Sequence, residues 1–213
     1  MGYQDWLSKL RQNRAIAVIR APEMEIGRQM ANAVAEGGME LIEITWNSHR
    51  AGDLISQLRS DLPSCTIGTG TLFNLEDQRS AIASGVQFMF TPHIDKEMIS
   101  RAAVVDIPII PGALTPTEII TAWNWGASCV KIFPVQAVGG ADYIKCLQGP
   151  MGQIPLIPTG GVTLDNAREF LQAGAIAVGL SGQLFPKQLI QASDWQEISN
   201  LARKLMNDIG NQG

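Results

Sequence analysis

The run AIAVIRAPEMEIG, residues 15–27, decides between two folds. Its first six residues read as a strand of a parallel sheet, apolar on both faces. A doubly wound open sheet usually follows its first strand with a glycine-rich turn that brings backbone N–H groups onto a pyrophosphate. Here the turn is RAPEMEIG, which carries no such motif. Similar runs recur downstream: LIEIT from 41, CTIGTG from 65, VQFMFT from 86, IPIIP from 107, SCVKIFP from 128, IPLIPT from 154 and IAVGL from 176. Their starts lie 26, 24, 21, 21, 21, 26 and 22 residues apart, room for one helix in each gap. Strand–helix alternation eight times over points to an α/β (β/α)8 TIM barrel. No linker or composition shift divides residues 1–213, which read as a single domain.

The helices announce their own ends. Thr115-Pro116-Thr117-Glu118 is a capping box with proline at the first helical position. Asn74 and Asp95 are N-cap candidates, and Gly85 a helix stop. From Trp195, residues Ile198, Leu201, Ala202, Leu205 and Ile209 fall at helical spacing. Residues 4–13 are expected to add a short N-terminal helix before the first strand.

Composition excludes several classes. Hydrophobic residues make up 46% and charged residues 17%, as in a globular, soluble chain. The net charge is −4 and no basic stripe is present, which speaks against nucleic acid as a partner. No run reaches membrane-spanning length and the N-terminus lacks an apolar signal core, so we read a cytoplasmic protein with no membrane partner. Cys65, Cys129 and Cys146 are widely spaced; the first two read as reduced core thiols. His49 and His93 are the two histidines, and neither belongs to a ligand-spaced cluster, so no metal site is expected.

In a barrel the ends of the strands and the loops after them form the active face. Arg20, Glu43, Thr45, Thr69, Thr71, Thr91 and Lys131 fall there. A rim threonine is ordinarily satisfied by water. Lys131 and Glu43 differ, because each interrupts an apolar run and strands two and six stand across the barrel from one another. One reading is a buried structural ion pair. The other is amine chemistry. Bringing a lysine from about 10.4 to near 7 takes roughly 4.6 kcal/mol, which desolvation can supply. Such an amine condenses with a ketone to give a Schiff base, and Glu43 can shuttle the protons. This chemistry calls for no cofactor.

Two loops suit a phosphate. IPTGGVT, from Ile157 to Thr163, and VGLSG, from Val178 to Gly182, follow strands seven and eight, where many barrels bind that group. Glycines let backbone N–H groups approach an anion, and the Ser181 hydroxyl can donate to it. A Gly-Gly pair alone is equally a tight turn. Gly139-Gly140, after the lysine strand, is either a third contact or a plain loop.

Taken in order, Glu43-Ile44-Thr45, IGTGT (67–71), Thr91-Pro92, Pro111-Gly112, the Thr115 capping box, VKIFP (130–134), Gly139-Gly140, PTGG (158–161) and Ser181 resemble the 2-keto-3-deoxy-6-phosphogluconate (KDPG) and 4-hydroxy-2-oxoglutarate (KHG) aldolase family. The resemblance runs along nearly the whole chain. It implies a class I aldolase, usually a homotrimer, that splits the phosphorylated keto acid KDPG into pyruvate and D-glyceraldehyde 3-phosphate. It assigns Lys131 to the Schiff base and Glu43 to general acid/base work. Thr71 and Arg20 fall near the pyruvate carboxylate, Pro92 and Phe133 at the imine wall, and Gly160, Gly161 and Ser181 at the phosphate.

Two positions depart from the family pattern. Asn47 stands where phosphogluconate aldolases commonly carry an arginine, so a substrate contact falls to Asn47 or passes to Arg20. His93 stands where they tend to carry glycine. The Asn47-Ser48 pair, and Thr91-Pro92 with Ile94, look more like the branch acting on 2-keto-3-deoxy-6-phosphogalactonate; drift on loops explains them equally well. Trp46 is either a packing residue or a substrate platform. The rival functions are a phosphosugar isomerase on the same barrel and a phosphosugar-binding protein with a vestigial site.

Overall fold

The computed structural model of the protein describes residues 2–210. Helix α1 (Tyr3–Asn13) precedes the first barrel unit, β1 (Ala15–Ile19) with α2 (Met24–Glu36). Then follow β2 (Leu41–Thr45), α3 (Ala51–Asp61), β3 (Thr66–Gly70), α4 (Leu75–Ala83), β4 (Met89–Thr91) and α5 (Lys96–Val104). The second half holds β5 (Ile109–Ala113), α6 (Pro116–Asn124), β6 (Val130–Ile132), a 3₁₀ turn (Val135–Val138) and α7 (Ala141–Met151). It ends with β7 (Leu156–Pro158), α8 (Ala167–Gln172), β8 (Val178–Leu180), the short α9 (Lys187–Gln191) and α10 (Trp195–Gly210).

All neighbouring strands run parallel, in the order β7-β6-β5-β4-β3-β2-β1-β8. A single bridge, Thr159 to Gly179, joins the two ends and brings the barrel close to closure. The eight expected strands are therefore present, each starting at or shortly inside its expected apolar run. Thr115 and Glu118 form the reciprocal capping box at α6, and the Asn74 and Asp95 side chains accept from the third helical N–H of α4 and α5.

Side chains alternate between two cores. The outward-facing set packs under the helices and includes Ile42, Ile44, Ile67, Met89, Ile109, Val130, Ile132, Leu156 and Val178. The inward-facing set holds Ile16, Leu41, Phe88, Phe90, Ile110, Cys129, Ile157 and Ala177. Helix α1 contributes Trp6, Leu7 and Leu10 to that inner cluster, stopping the bottom of the barrel. Trp6 is fully buried and stacks on Phe88 at 4.9 Å between ring centroids. Cys65 and Cys129 are buried free thiols, and burial pushes the Cys129 thiol up to about 12. Cys146 is an exposed free thiol.

Phe88 fits only because β3 yields space. A Cβ added at Gly68 would meet the Phe88 ring at 2.4 Å. Both residues are enclosed, so neither can step aside. Gly68→Ala is expected to lose about 1–3 kcal/mol of stability, the usual range for overpacking, measured by urea unfolding. An unchanged midpoint would show that the inner tier is looser than this packing implies.

Candidate active site

The same alternation that fills the barrel floor lifts a second set of side chains above it. Arg20 follows Ile16 and Val18 along β1; Glu43 and Thr45 follow Leu41 on β2. Lys131 and Phe133 follow Cys129 on β6, and Ser181 follows Ala177 and Gly179 on β8. These residues line one cleft of ≈ 670 Å³ with Thr71, Pro92, Thr159, Gly160 and Gly161. The amine and the carboxyl lie at its base. Lys131 is 8% exposed and Glu43 3%.

Lys131 and Glu43 shift each other's ionisation. Burial pushes the Lys131 ammonium below the ordinary lysine range, the Glu43 carboxylate pulls it back up, and Arg20 presses it down again. Burial pushes Glu43 above the ordinary carboxyl range, while Lys131 and Arg20 draw it down. Among the described residues, ion pairs closer than 4.0 Å join Arg28 to Glu25 and Arg50 to Asp53, not Lys131 to Glu43. The two groups feel one another across a gap, which is not the arrangement of a structural salt bridge. The Lys131 Nζ sits 4.7 Å from the Phe133 ring centroid and 5.8 Å from that of Phe90. An amine with lowered basicity, open to a cleft and flanked by a carboxyl, is equipped to attack a carbonyl and to have protons moved around it.

The far side of the cleft is built from the two glycine loops. Gly160 and Gly161 take φ of +80° and +101°, which side-chain-bearing residues rarely adopt. A Cβ on Gly160 would reach the Phe133 ring at 3.0 Å, and one on Gly161 would strike Gln136 at 2.3 Å. Asn166 ties the loop down: its side chain accepts from the Thr163 N–H and donates to the Gly161 carbonyl, while its N–H donates to the Thr163 hydroxyl. Thr71 has φ of +63°, an outlier for a β-branched residue, and it too lines the cleft.

Of the residues assigned to catalysis or substrate binding, the cleft gathers all but Asn47; Gly139 and Gly140 lie outside it. Asn47 is exposed on the turn after β2 and is not among those lining the cleft. The strand ends at Thr45, so the alternation that would have aimed position 47 inward has lapsed. Its neighbour Ser48 is used by the scaffold. The Ser48 hydroxyl accepts from the Ala21 N–H at 3.0 Å and meets the Thr45 hydroxyl at 3.2 Å. Thr69 and Thr91 also turn away from the cleft; their hydroxyls donate to the carbonyls of Ile44 and His93. Trp46 is a half-buried packing residue whose indole N–H donates to Asp77. Phe73, Thr159, Thr163 and Gln183 line the cleft without having been singled out as candidates. Thr159 has the inward parity of Ile157 and was open to detection. Phe73, 60% exposed and stacked on His93 at 6.3 Å, lies on a loop with no periodicity to read. Among the described residues, no group of three or more His, Cys, Asp or Glu side chains gathers as a metal site. No described helix is long and apolar enough to cross a membrane.

A parallel eight-stranded barrel with a buried amine of lowered basicity and a carboxyl at the C-terminal ends of its strands has the architecture that a Schiff-base lyase requires. Comparison with known proteins supplies the family. The model for KDPG and KHG aldolase matches residues 7–201, and the chain belongs to that aldolase family, whose members are carbon–carbon lyases. The chain is 34% identical over 206 residues to the 2-dehydro-3-deoxy-phosphogluconate aldolase of Haemophilus influenzae, covering 97% of each sequence. It is 29% identical over 189 residues to the KHG/KDPG aldolase of Escherichia coli K12, covering 89% of each. Among solved structures it resembles the KDPG aldolase of Legionella pneumophila with pyruvate captured at low pH as a covalent carbinolamine intermediate. The TM-score is 0.86 at 26% identity, over 93% of this chain and 97% of that one. A native KDPGal structure matches with a TM-score of 0.83 at 28% identity, over 93% and 96%.

The mutual shift of Lys131 and Glu43 has a sign that chemistry can read. An ionised Glu43 favours the ammonium, so deleting its charge lowers the amine's pKa further. In Glu43→Gln, the midpoint of Lys131 acylation against pH is expected to move down, followed by peptide mass spectrometry after brief acetic anhydride treatment. A midpoint that moved up would contradict the coupling.

Proposed function

We propose that the protein is a class I aldolase that cleaves 2-keto-3-deoxy-6-phosphogluconate to pyruvate and D-glyceraldehyde 3-phosphate through an imine on Lys131. The observation that carries this reading is the amine itself: buried at the cleft base, lowered in basicity by burial, and not locked into an ion pair. The family and its named relatives support the substrate class.

The Lys131 amine attacks the C2 ketone to give a carbinolamine. Glu43 protonates the departing hydroxyl, water leaves, and the nitrogen becomes an iminium. Glu43, now a carboxylate, takes the C4 hydroxyl proton. The C3–C4 electron pair flows into the iminium, forming an enamine, and glyceraldehyde 3-phosphate departs with its new carbonyl at the former C4. The enamine takes a proton at C3 from Glu43. Water adds to the resulting iminium as Glu43 takes its proton back, the carbinolamine collapses to release pyruvate, and the neutral amine is regenerated. Arg20 and Thr71 are placed to hold the C1 carboxylate, Pro92 and Phe133 to wall the imine, and the Gly160-Gly161 loop with Ser181 to hold the phosphate. The same reading takes the chain as a single domain of a cytoplasmic homotrimer, supported by the family resemblance.

The galactonate epimer and the unphosphorylated KHG remain within reach of the same machinery, because epimer choice bears on C4 and not on the imine. The Asn47-Ser48 pair offers the galactonate reading little support, since Asn47 is not among the residues lining the cleft and Ser48 braces the loop after β1.

Incubation with pyruvate and sodium borohydride is expected to leave one reduced adduct, on Lys131, and Lys131→Ala is expected to lose turnover while keeping its fold. A folded wild-type protein that bound phosphosugars without forming any adduct would instead be a binding protein or an isomerase. Ser181→Ala removes a hydrogen bond to a charged group, commonly about 1.5–3 kcal/mol. Its KM for KDPG is expected to rise about tenfold or more, with KM for KHG little changed. Equal losses on both substrates would move Ser181 out of the phosphate site.

A further inference from the structure

Strand β3 presents no side chain to the barrel interior over its upper half. Its inward positions are Gly68 and Gly70, and each absence is filled by a neighbouring strand's side chain. Gly68 receives Phe88. Gly70 receives the carboxyl of Glu43: a Cβ built at Gly70 would lie 1.8 Å from Oε1, 2.6 Å from Cδ and 3.3 Å from Cγ. All three nearest atoms belong to the Glu43 side chain. The backbone does not require glycine. Gly70 is absent from the positive-φ residues, pairs in register with Thr45, and accepts the Trp46 N–H at 2.7 Å. Alanine would fit the strand's backbone, and its Cβ would meet Glu43 first.

We propose that Gly70 is the positioning residue for Glu43, its missing Cβ forming the seat that holds the carboxyl beside the reacting carbon and off a direct ion pair with Lys131. Two consequences of the geometry lead there. Glu43 is enclosed, so a carboxyl evicted from the seat must move toward the cleft, where the Lys131 amine lies. A general base must also reach its proton at about 2.6–3.2 Å, and a displacement near 1 Å is enough to cost about 10²-fold in rate. The adjacent glycines therefore divide their work. Gly68 serves packing, against a rigid ring. Gly70 serves placement, against the far end of a flexible side chain that can swing away without unfolding the barrel.

The inference rests on the aldolase reading of Glu43, and a double-mutant cycle separates the two. Steady-state cleavage of KDPG is measured for wild type, Gly70→Ala, Glu43→Ala and Gly70→Ala/Glu43→Ala, with thermal unfolding of each. Gly70→Ala is expected to keep a midpoint near wild type and to lose about 10–100-fold in kcat. In the Glu43→Ala background the same change is expected to alter kcat by less than about twofold, because the evicted group is gone. The pH profile of Gly70→Ala should also lose or displace the limb that disappears in Glu43→Ala. Gly68→Ala, the structural control, should lower the unfolding midpoint in both backgrounds. Full activity in Gly70→Ala, or equal losses with and without Glu43, overturns the proposal. Should Gly70→Ala fail to fold, rescue of folding by Glu43→Ala supports it and failure of the double variant overturns it. If Glu43→Ala alone turns over normally, it is the catalytic role of Glu43 that falls.

Discussion

A closed ring of parallel strands gives each strand one face toward the axis, and every second residue must share that narrow space. This two-residue alternation is the constraint on which the rest of the structure depends. It puts Ile16, Leu41, Phe88, Cys129 and Ala177 in one dry tier, with Trp6 beneath them as a stopper. Two residues further along the same strands it has no choice but to aim Val18, Glu43, Phe90, Lys131 and Gly179 into the tier above. A charged side chain on that tier loses its water before it meets any substrate. The lowered basicity of Lys131 and the raised pKa of Glu43 follow from the height at which they stand, with the hydrophobic floor directly below.

The glycines complete that tier. Eight inward side chains of ordinary size would fill it solid. Gly70 on β3, Gly112 on β5 and Gly179 on β8 leave recesses into which Glu43, the Pro92 backbone and Thr159 project, as Gly68 makes room for Phe88 in the floor. A cleft opens above Lys131 because side chains are withheld at chosen inward positions. The withheld ones lie beside residues that need room.

Most of this was legible in the sequence, and for one physical reason: period-two patterns in short apolar runs announce both the strands and the interior face. Lys131 and Glu43 stood out because a charge in such a run violates the pattern. Thr115-Pro116-Thr117-Glu118 and Asn74 announced helix starts through local hydrogen bonding, which does not depend on tertiary context. What escaped lies where periodicity stops. Asn47, assigned through the family resemblance, is two residues past the end of β2, where the turn and not the strand's alternation sets its course. Thr69 sat at a strand end but on the outer parity, where its hydroxyl serves the Ile44 carbonyl. Phe73 and Gln183 reach the cleft from loops, whose course is set by tertiary contacts no local pattern encodes. The recess at Gly70 was invisible for another reason: a glycine in a strand reads as a weakness until the neighbour that occupies its space is known.

The cleft's charge inventory suits a nucleophile that starts neutral. Its ionisable lining residues are Arg20, Glu43 and Lys131. KDPG brings a carboxylate at one end and a phosphate at the other. An ammonium at position 131 would bind such an anion well but could not attack it, whereas a neutral amine attacks and then regains its charge as the iminium forms. On the proposed imine route the cation would arise after binding, beside the carbon whose bond must break and close to Glu43. In a dry site such a charge is strongly felt by its neighbours. Along that route burial would act twice on the same residue: it lowers the basicity of Lys131, which favours the neutral nucleophile, and it would strengthen the field acting on an iminium formed there.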